Sequence, residues 1–305
     1  MKPESTGIAG TPESAGAARP LERTGIGAFL KSRRAAIDPA DAGLPPVHNR
    51  RRVPGLRREE VAQLAGISVD YYIRIEQGRA HSVSEPVLDA LARALRLSRD
   101  EHAYLRHLAD PRTGQTNVAA GPAAVRPEIR RLLDAMDPSV PAHVVGPGLD
   151  YLAWNALGGR IAFDLTALPP DRRSAPLLVF LHPDSRDLHP DWTAVAAETV
   201  AALRADTGRF PGHPRVERVL SELLDRSAEF RTLWEDQRVR ARLSGSKRIR
   251  HPEVGELEVR YEALQLAVET DQVLCTYTVE PGSPSETALR RLADRTRQES
   301  ARRAA

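Results

Sequence analysis

The side chains best suited to specific chemistry lie on one short amphipathic segment in the first third of the chain, SVDYYIRIEQ. Val69, Asp70 and Arg74 fall on the outward side of that segment. A carboxylate can accept a hydrogen bond from the amino group of cytosine, and a guanidinium can donate two bonds to guanine. The pattern therefore predicts that these three residues contact base edges in double-stranded DNA. The alternative is an ordinary solvated helix face.

Further polar side chains surround this segment and are suited to the DNA backbone. Arg57, Arg58 and Arg79 stand near predicted helix ends, where we expect them to bind phosphates. Ser68 and Tyr71 are predicted as additional contacts to phosphate or sugar.

A second basic group, Arg50, Arg51 and Arg52, lies in the loop before the Arg57 region. We expect it to clamp the backbone or enter the minor groove, and a solvated charge cluster is the alternative. Residues 23–79 hold eleven Arg or Lys against six Asp or Glu, whereas residues 125–295 hold 23 against 26. The imbalance favours a polyanionic partner for the front half of the chain only.

Five helices are needed to position these residues, and the period of the apolar side chains predicts them within residues 24–109. They cover Gly25 to Ile37, Leu56 to Ala65, Ser68 to Gln77, Ser84 to Leu95 and Ser98 to Ala109. A serine is a good N-cap for each of the last three. The second and third helices are joined by a tight turn, which is typical of a helix-turn-helix whose second helix enters the major groove.

The front segment LRREEVAQLAGISVDYYIRIEQGR resembles the Xre/Cro-type helix-turn-helix proteins, and RRVPGLRREE narrows the similarity to the MmyB-like transcription regulators. The resemblance continues through LAWN, DWTAVAAETVAALRADTGRFP, SAEFRTLW, KRIRHPEVGELEVRYEALQL and YTVEPGSPSE. It implies an N-terminal all-α, five-helix domain of the Xre type and a C-terminal α/β, PAS-like sensor domain.

A length of 305 residues agrees with two domains. Clusters of Gly, Pro and small polar residues predict the breaks between them. We expect a disordered tail over 1–22, the helix-turn-helix domain over 23–110, a linker over 111–125, the ligand-binding domain over 126–296 and a frayed tail over 297–305.

The back half mixes alternating and helical apolar patterns, which predict a sheet with helices on one side. Strands are expected at VPAHVV, LDYLAWN, KRIRHP, GELEVRYEALQL and residues 272–279, and APLLVFL is a short helix or strand. Helices are expected over 126–136, 191–205, 214–224, 227–240 and 285–296. Such an arrangement leaves a cavity for a small molecule.

The few aromatic residues of the back half supply the candidate ligand pocket. They are Trp154, Phe180, Trp192, Phe230, Trp234, Tyr261 and Tyr277, with Asn155 or Tyr261 as a polar anchor. Plain core packing is the alternative for the aromatic residues, and a helix cap is the alternative for Asn155. Because this half has no net positive charge, a small apolar ligand is favoured over a polyphosphate.

No pattern in the chain points to catalysis, to a cofactor or to a membrane. One short segment, LHPDSRDLHPDW, contains several possible metal ligands: His182, Asp184, Asp187, His189 and Asp191. The prolines of this segment predict a turn rather than a metal site. The lone cysteine, Cys275, alternates with apolar residues and is expected to be a small buried side chain. Without an apolar run long enough to span a bilayer, we expect a cytoplasmic, non-enzymatic protein.

Three functions compete at this point. The first is a DNA-binding transcription regulator that responds to a small ligand, acting as a homodimer because one helix-turn-helix covers too few base pairs to single out a site. The second is a DNA-binding scaffold or antitoxin whose back half binds a protein. The third is an enzyme with an appended DNA-binding head, which the missing nucleophile–base motifs disfavour.

Overall fold

The structure, a computed structural model, describes residues 25–42, 55–80, 82–110, 124–240 and 244–304. The predicted N-terminal tail, the loop residues Arg50, Arg51 and Arg52, and most of the predicted linker lie outside these ranges. The described part forms a helical head and a larger α/β domain, as expected.

The head contains the five predicted helices within its described residues. They are α1 (Ile26–Ala35), α2 (Arg58–Ala65), α3 (Val69–Glu76), α4 (Glu85–Ala94) and α5 (Arg99–Ala109). Ser68 and Ser98 cap α3 and α5 through their hydroxyl oxygens, each accepting at 3.2 Å from a backbone N–H three residues on. Ser84 also occupies an N-cap position, but its side chain makes no capping hydrogen bond.

One apolar cluster holds these helices together. Phe29, Val61, Tyr72, Leu91 and Leu105, one from each helix, are fully buried in it. Two small residues of α2, Ala62 and Ala65, are also buried in this cluster. The core of the head is therefore the element that orients α3.

The second domain is built on a five-stranded antiparallel sheet. Its strands are β1 (Ala142–Gly146), β2 (Asp150–Trp154), β3 (Ser244–His251), β4 (Gly255–Gln265) and β5 (Val273–Thr278). Their order across the sheet is β2-β1-β5-β4-β3, and every neighbouring pair is antiparallel.

Seven helices accompany the sheet in the described residues. They are α6 (Pro127–Ala135), α7 (Ala175–Leu181), α8 (Ser185–Leu188), α9 (Trp192–Arg209), α10 (Pro214–Arg226), α11 (Ala228–Glu235) and α12 (Pro284–Ala304). Helices α7 and α9 face β1 and β5 across a cavity, whereas α6 packs against the other apolar surface of β1 and β5. The prediction of helices on one side of the sheet was therefore wrong, because both faces of β1 and β5 are apolar and both are covered.

Three helix ends differ from the predictions by more than two residues. The helix expected over 191–205 continues to Arg209. The helix expected over 227–240 ends at Glu235, because Asp236 to Arg240 leave the helical path and pack against the head. The final helix was predicted to end at Thr296 but continues to Ala304. The segment APLLVFL, which could be helix or strand from its pattern, is the helix α7.

Candidate DNA-binding surface and ligand cavity

Helices α2 and α3 meet through a turn whose geometry requires glycine. Gly66 adopts a left-handed conformation with φ of 66°, which other residues adopt at a cost. Its N–H donates to the carbonyl of Gln63 at 3.2 Å, and the N–H of Ile67 donates to that of Ala62 at 3.0 Å. These bonds close the end of α2 and redirect the chain into α3 within three residues.

The predicted base-contacting residues all lie on the solvent side of α3. Asp70 and Arg74 are exposed, and Val69 keeps 40% of its surface open although it is apolar. The opposite side of the helix buries Tyr72 and Ile75 completely. The helix therefore presents a face with one acid, one base and one methyl-bearing side chain.

Two arginines, the buried Arg34 and the exposed Arg58, bind the acidic residue at the end of α3. The carboxylate of Glu76 is buried and accepts hydrogen bonds from Arg34 at 3.2 Å and from Arg58 at 3.1 and 3.3 Å. This pairing raises the pKa of Arg58. A second guanidinium bond, from Arg34 to the carbonyl of Leu56 at 2.6 Å, ties α1 to the start of α2. Arg58 thus holds α3 in place.

The other predicted backbone contacts are placed near the two ends of the α2–α3 unit. Arg79 is exposed just beyond α3, and Arg57 is half-buried at the N-terminus of α2, where it lies 3.8 Å from Glu59. Ser68 is exposed while its hydroxyl caps α3, and Tyr71 is half-buried against the head core.

A cavity of about 180 Å³ lies between the sheet and helix α9. Its sheet wall consists mainly of His143 and Val145 on β1, Tyr151 on β2, and Cys275 and Tyr277 on β5. Ala202, Ala205, Asp206 and Arg209 on α9 form the facing wall. A smaller hollow of about 40 Å³ shares His143, Tyr151, Ala175 and Tyr277 and extends toward Lys247.

Most of the cavity surface is apolar, and its size suits a compact molecule. Cavities of roughly 150 Å³ with apolar walls hold a single aromatic ring. The available space therefore suits one ring or a short alkyl chain.

Two charged residues of the cavity, Asp206 and Arg209, lie on α9. Burial raises the pKa of the Asp206 carboxyl to about 7, although the N–H of Gly148 donates to it at 2.9 Å and Arg209 lies nearby. The guanidinium of Arg209 donates to the side-chain oxygen of Gln265 at 3.0 Å and to the carbonyl of Thr270. The cavity thus contains an acid that changes charge near neutral pH.

Of the eight predicted pocket residues, Tyr277 lines this cavity. Phe180, Trp192, Phe230 and Trp234 pack together among the helices, with Phe230 and Trp234 stacked at 5.4 Å.

The remaining three lie elsewhere. Tyr261 packs in the apolar cluster beneath α12. Trp154 borders a separate cleft. Asn155 borders another, but its amide is occupied: Oδ1 accepts from Ala142 at 3.0 Å and Gly158 at 2.8 Å, and Nδ2 donates to Val140 at 2.7 Å.

Sequence reasoning missed His143, Tyr151, Asp206 and Arg209 as cavity residues. The alternating pattern of side chains along β1 and β5 could have indicated His143, because it lies opposite Cys275 in the sheet. Tyr151 could not be found in this way, because a bulge between Val144 and Val145 shifts the register of β2. Asp206 and Arg209 lie beyond the helix end predicted at residue 205.

The His and Asp residues that cluster in sequence between positions 182 and 191 form no metal centre in the described part of the chain. His182 and His189 both pack against the ring of Phe163. Within the described ranges, no three His, Cys, Asp or Glu side chains are grouped closely enough to hold a metal ion. Cys275 is buried, as expected.

None of the helices in the described ranges has the length and apolar character needed to cross a membrane.

The fold and these surfaces define a helix-turn-helix head joined to an α/β sensor domain. Residues 26–105 match a family model described as a helix-turn-helix domain, and residues 125–292 match the MmyB-like transcription regulator ligand binding domain. The chain belongs to this MmyB-like family and is a ligand-modulated transcription regulator. No curated protein gave a significant match to the chain.

Proposed function

We propose that the protein binds duplex DNA through the exposed face of α3 and that a small apolar ligand in the sheet cavity modulates this binding. The observation that carries the proposal is the placement of Val69, Asp70 and Arg74 on one solvent face of a helix that Gly66 and Glu76 hold rigidly. A helix of this kind fits the major groove, and its side chains reach base edges.

The DNA contacts are tested by substituting Arg74. Arg74→Ala should weaken binding to the cognate duplex by about 1–3 kcal/mol and relax the preference at one base pair. The cognate duplex is first selected from a random pool with the full chain, and affinity is then measured by fluorescence anisotropy. Arg93→Ala, an exposed arginine on α4, is the matched control. Equal affinity and an unchanged selected motif in Arg74→Ala would exclude Arg74 from base recognition.

The ligand site is proposed for the cavity between β5 and α9, because its walls are mostly apolar and its volume suits one ring or a short alkyl chain. Native mass spectrometry of freshly purified protein should detect a bound small molecule. Titration with a compact aromatic probe such as indole should change the NMR chemical shifts of Tyr277. Ala202→Phe should abolish this change, because the larger side chain fills the cavity.

A matched control for the ligand site is Ala194→Phe, because Ala194 is exposed on the same helix. Probe binding that survives in Ala202→Phe would place the ligand elsewhere. Copurification of a protein instead of a small molecule would favour the scaffold function for the C-terminal domain.

A further inference from the structure

Helix α9 separates the ligand cavity from the DNA-binding head. Ala202 and Arg209 line the cavity, while Gly208 faces helix α5 of the head. Ala205 belongs to both surfaces, since it lines the cavity and also packs against the apolar core of the head. One layer of side chains therefore lies between the cavity and the DNA-binding domain.

The contact between α9 and the head is close enough to require a glycine. A Cβ on Gly208 would overlap the ring of Tyr104 on α5. Tyr104 is itself 2% exposed and packs edge-on against Phe29 of α1, with ring centroids 5.2 Å apart. Because packed interiors yield little to compression, a displacement of α9 must be followed by Tyr104 and the head core.

A buried cation, that of Arg204, lies at the contact between α9 and α5, which is here called the seam. Arg204 on α9 is completely buried, and its guanidinium lies 3.7 Å from the ring centroid of Trp234. It donates to the side-chain oxygen of Gln237 at 2.8 Å and to the carbonyl of Trp234. Burial lowers the pKa of Arg204 to about 10, and neighbouring Tyr104 opposes that change. Removing a partner from a buried charge is costly. We therefore expect α9 and α5 to change between distinct packing arrangements rather than to slide continuously.

The segment 236–240, here called the clasp, makes a second contact with the head. The carbonyl of Asp236 accepts from Arg33 at 2.9 Å and from Ser32 at 3.3 Å, both on α1. Val239 is buried in the head core. The N–H of Arg240 donates to Ala201 of α9 at 3.4 Å. The clasp thus contacts α9 and the head at the same time.

We propose that α9 and the clasp transmit the state of the cavity to the head, and that filling the cavity moves α9 toward α5 and loosens the docking of the head. The sheet wall is tied by hydrogen bonds across all five strands, so the helical wall yields first. Helix shifts of one or two ångströms are a common means of such coupling. The inference rests on the proposed function in taking the cavity as the ligand site.

The test replaces the unidentified ligand with a side chain. Ala202 is 4% exposed and lines the cavity. Ala202→Phe in the full chain should accelerate amide hydrogen exchange in α5 by about fivefold or more, which is the lower range of allosteric coupling. Exchange in β4 and β5 reports on folding of the sensor and should not change. Ala194→Phe, at an exposed position on α9, should leave α5 unaffected.

A second series acts on the seam directly. Gly208→Ala should accelerate exchange in α5 with the cavity empty, because the added methyl displaces Tyr104. In a Tyr104→Leu background the added methyl has space, so Gly208→Ala should add little to the exchange rate of Tyr104→Leu alone. Ala202→Phe combined with Gly208→Ala should exchange no faster than the quicker single variant, since both substitutions act on one docking equilibrium.

The outcomes separate this inference from the proposed function. If Ala202→Phe leaves exchange in α5 unchanged while the sheet stays folded, transmission through α9 is refuted. If Ala202→Phe does not fold, the Gly208→Ala series decides. Loss of the Gly208→Ala effect in the Tyr104→Leu background supports transmission through the seam, and persistence of the full effect overturns it. The experiment uses neither DNA nor ligand, so failure of Arg74 as a base contact or of probe binding would leave its result intact.

Discussion

At the scale of single residues, Asp206 shows how burial creates a titrating group that its sequence neighbours do not suggest. Asp206 lies on α9 and its carboxyl faces a mostly apolar cavity, where the backbone N–H groups of Gly148 and Leu149 and the charge of Arg209 offset only part of the loss of water. Burial disfavours the charged form of an acid. The group is therefore expected to affect stability between the pKa of the unfolded chain, about 4, and its folded pKa of about 7.

This predicts the pH dependence of the sensor. Because the folded pKa is raised, Asp206 stabilises the fold most below pH 4, and that contribution disappears as the pH rises through 7. The free energy of unfolding of the parent minus that of Asp206→Asn should fall by on the order of 1–4 kcal/mol over this range. Urea unfolding followed by tryptophan fluorescence measures it. A flat difference, equal to that of the exposed control Asp225→Asn, would contradict the assignment.

At the scale of elements, two arginines of the α2–α3 unit have different surroundings. Arg58 is committed to the buried carboxylate of Glu76, whereas Arg79 is exposed just beyond the end of α3. A paired cation releases fewer counterions on binding DNA than one whose charge is not neutralised. The two residues were predicted to be equivalent phosphate contacts from the sequence, and their surroundings differ.

The prediction concerns the salt dependence of DNA binding. Arg79→Ala should reduce the slope of log affinity against log salt by about one unit for every duplex. Arg58→Ala should change the slope less and should accelerate amide exchange in α3, since Glu76 loses a partner. Affinity is measured at several salt concentrations with cognate and unrelated duplexes. Equal slopes for the parent and Arg79→Ala would remove Arg79 from the list of phosphate contacts.

At the scale of the whole molecule, one recognition helix covers only a few base pairs, which is too little information to select one site in a genome. We therefore expect two copies to bind a pseudo-palindrome, with their α3 helices about 34 Å apart. The selected duplex should contain a dyad, and native mass spectrometry should show two chains per duplex. A site without a dyad, bound by one chain, would refute the homodimer.

The sequence alone determined the elements that depend on local patterns. Helix periodicity, the serine caps of α3 and α5, the glycine turn and the outward face of α3 all arise from contacts within a few residues. The resemblance to the MmyB-like regulators added the order of the two domains, and the family matches confirm it.

The cavity and the seam were decided only by the tertiary structure. The packing of distant elements determines which aromatic residues form the core and which line the cavity. Phe230 and Trp234 stack among the helices, whereas Tyr277 lines the cavity. A register shift in β1 placed Tyr151 at the cavity, and packing against the head ended α11 at Glu235. These features depend on residues far apart in the chain, whose contacts no local pattern encodes, and the same distant packing puts a sensor helix against the DNA-binding head.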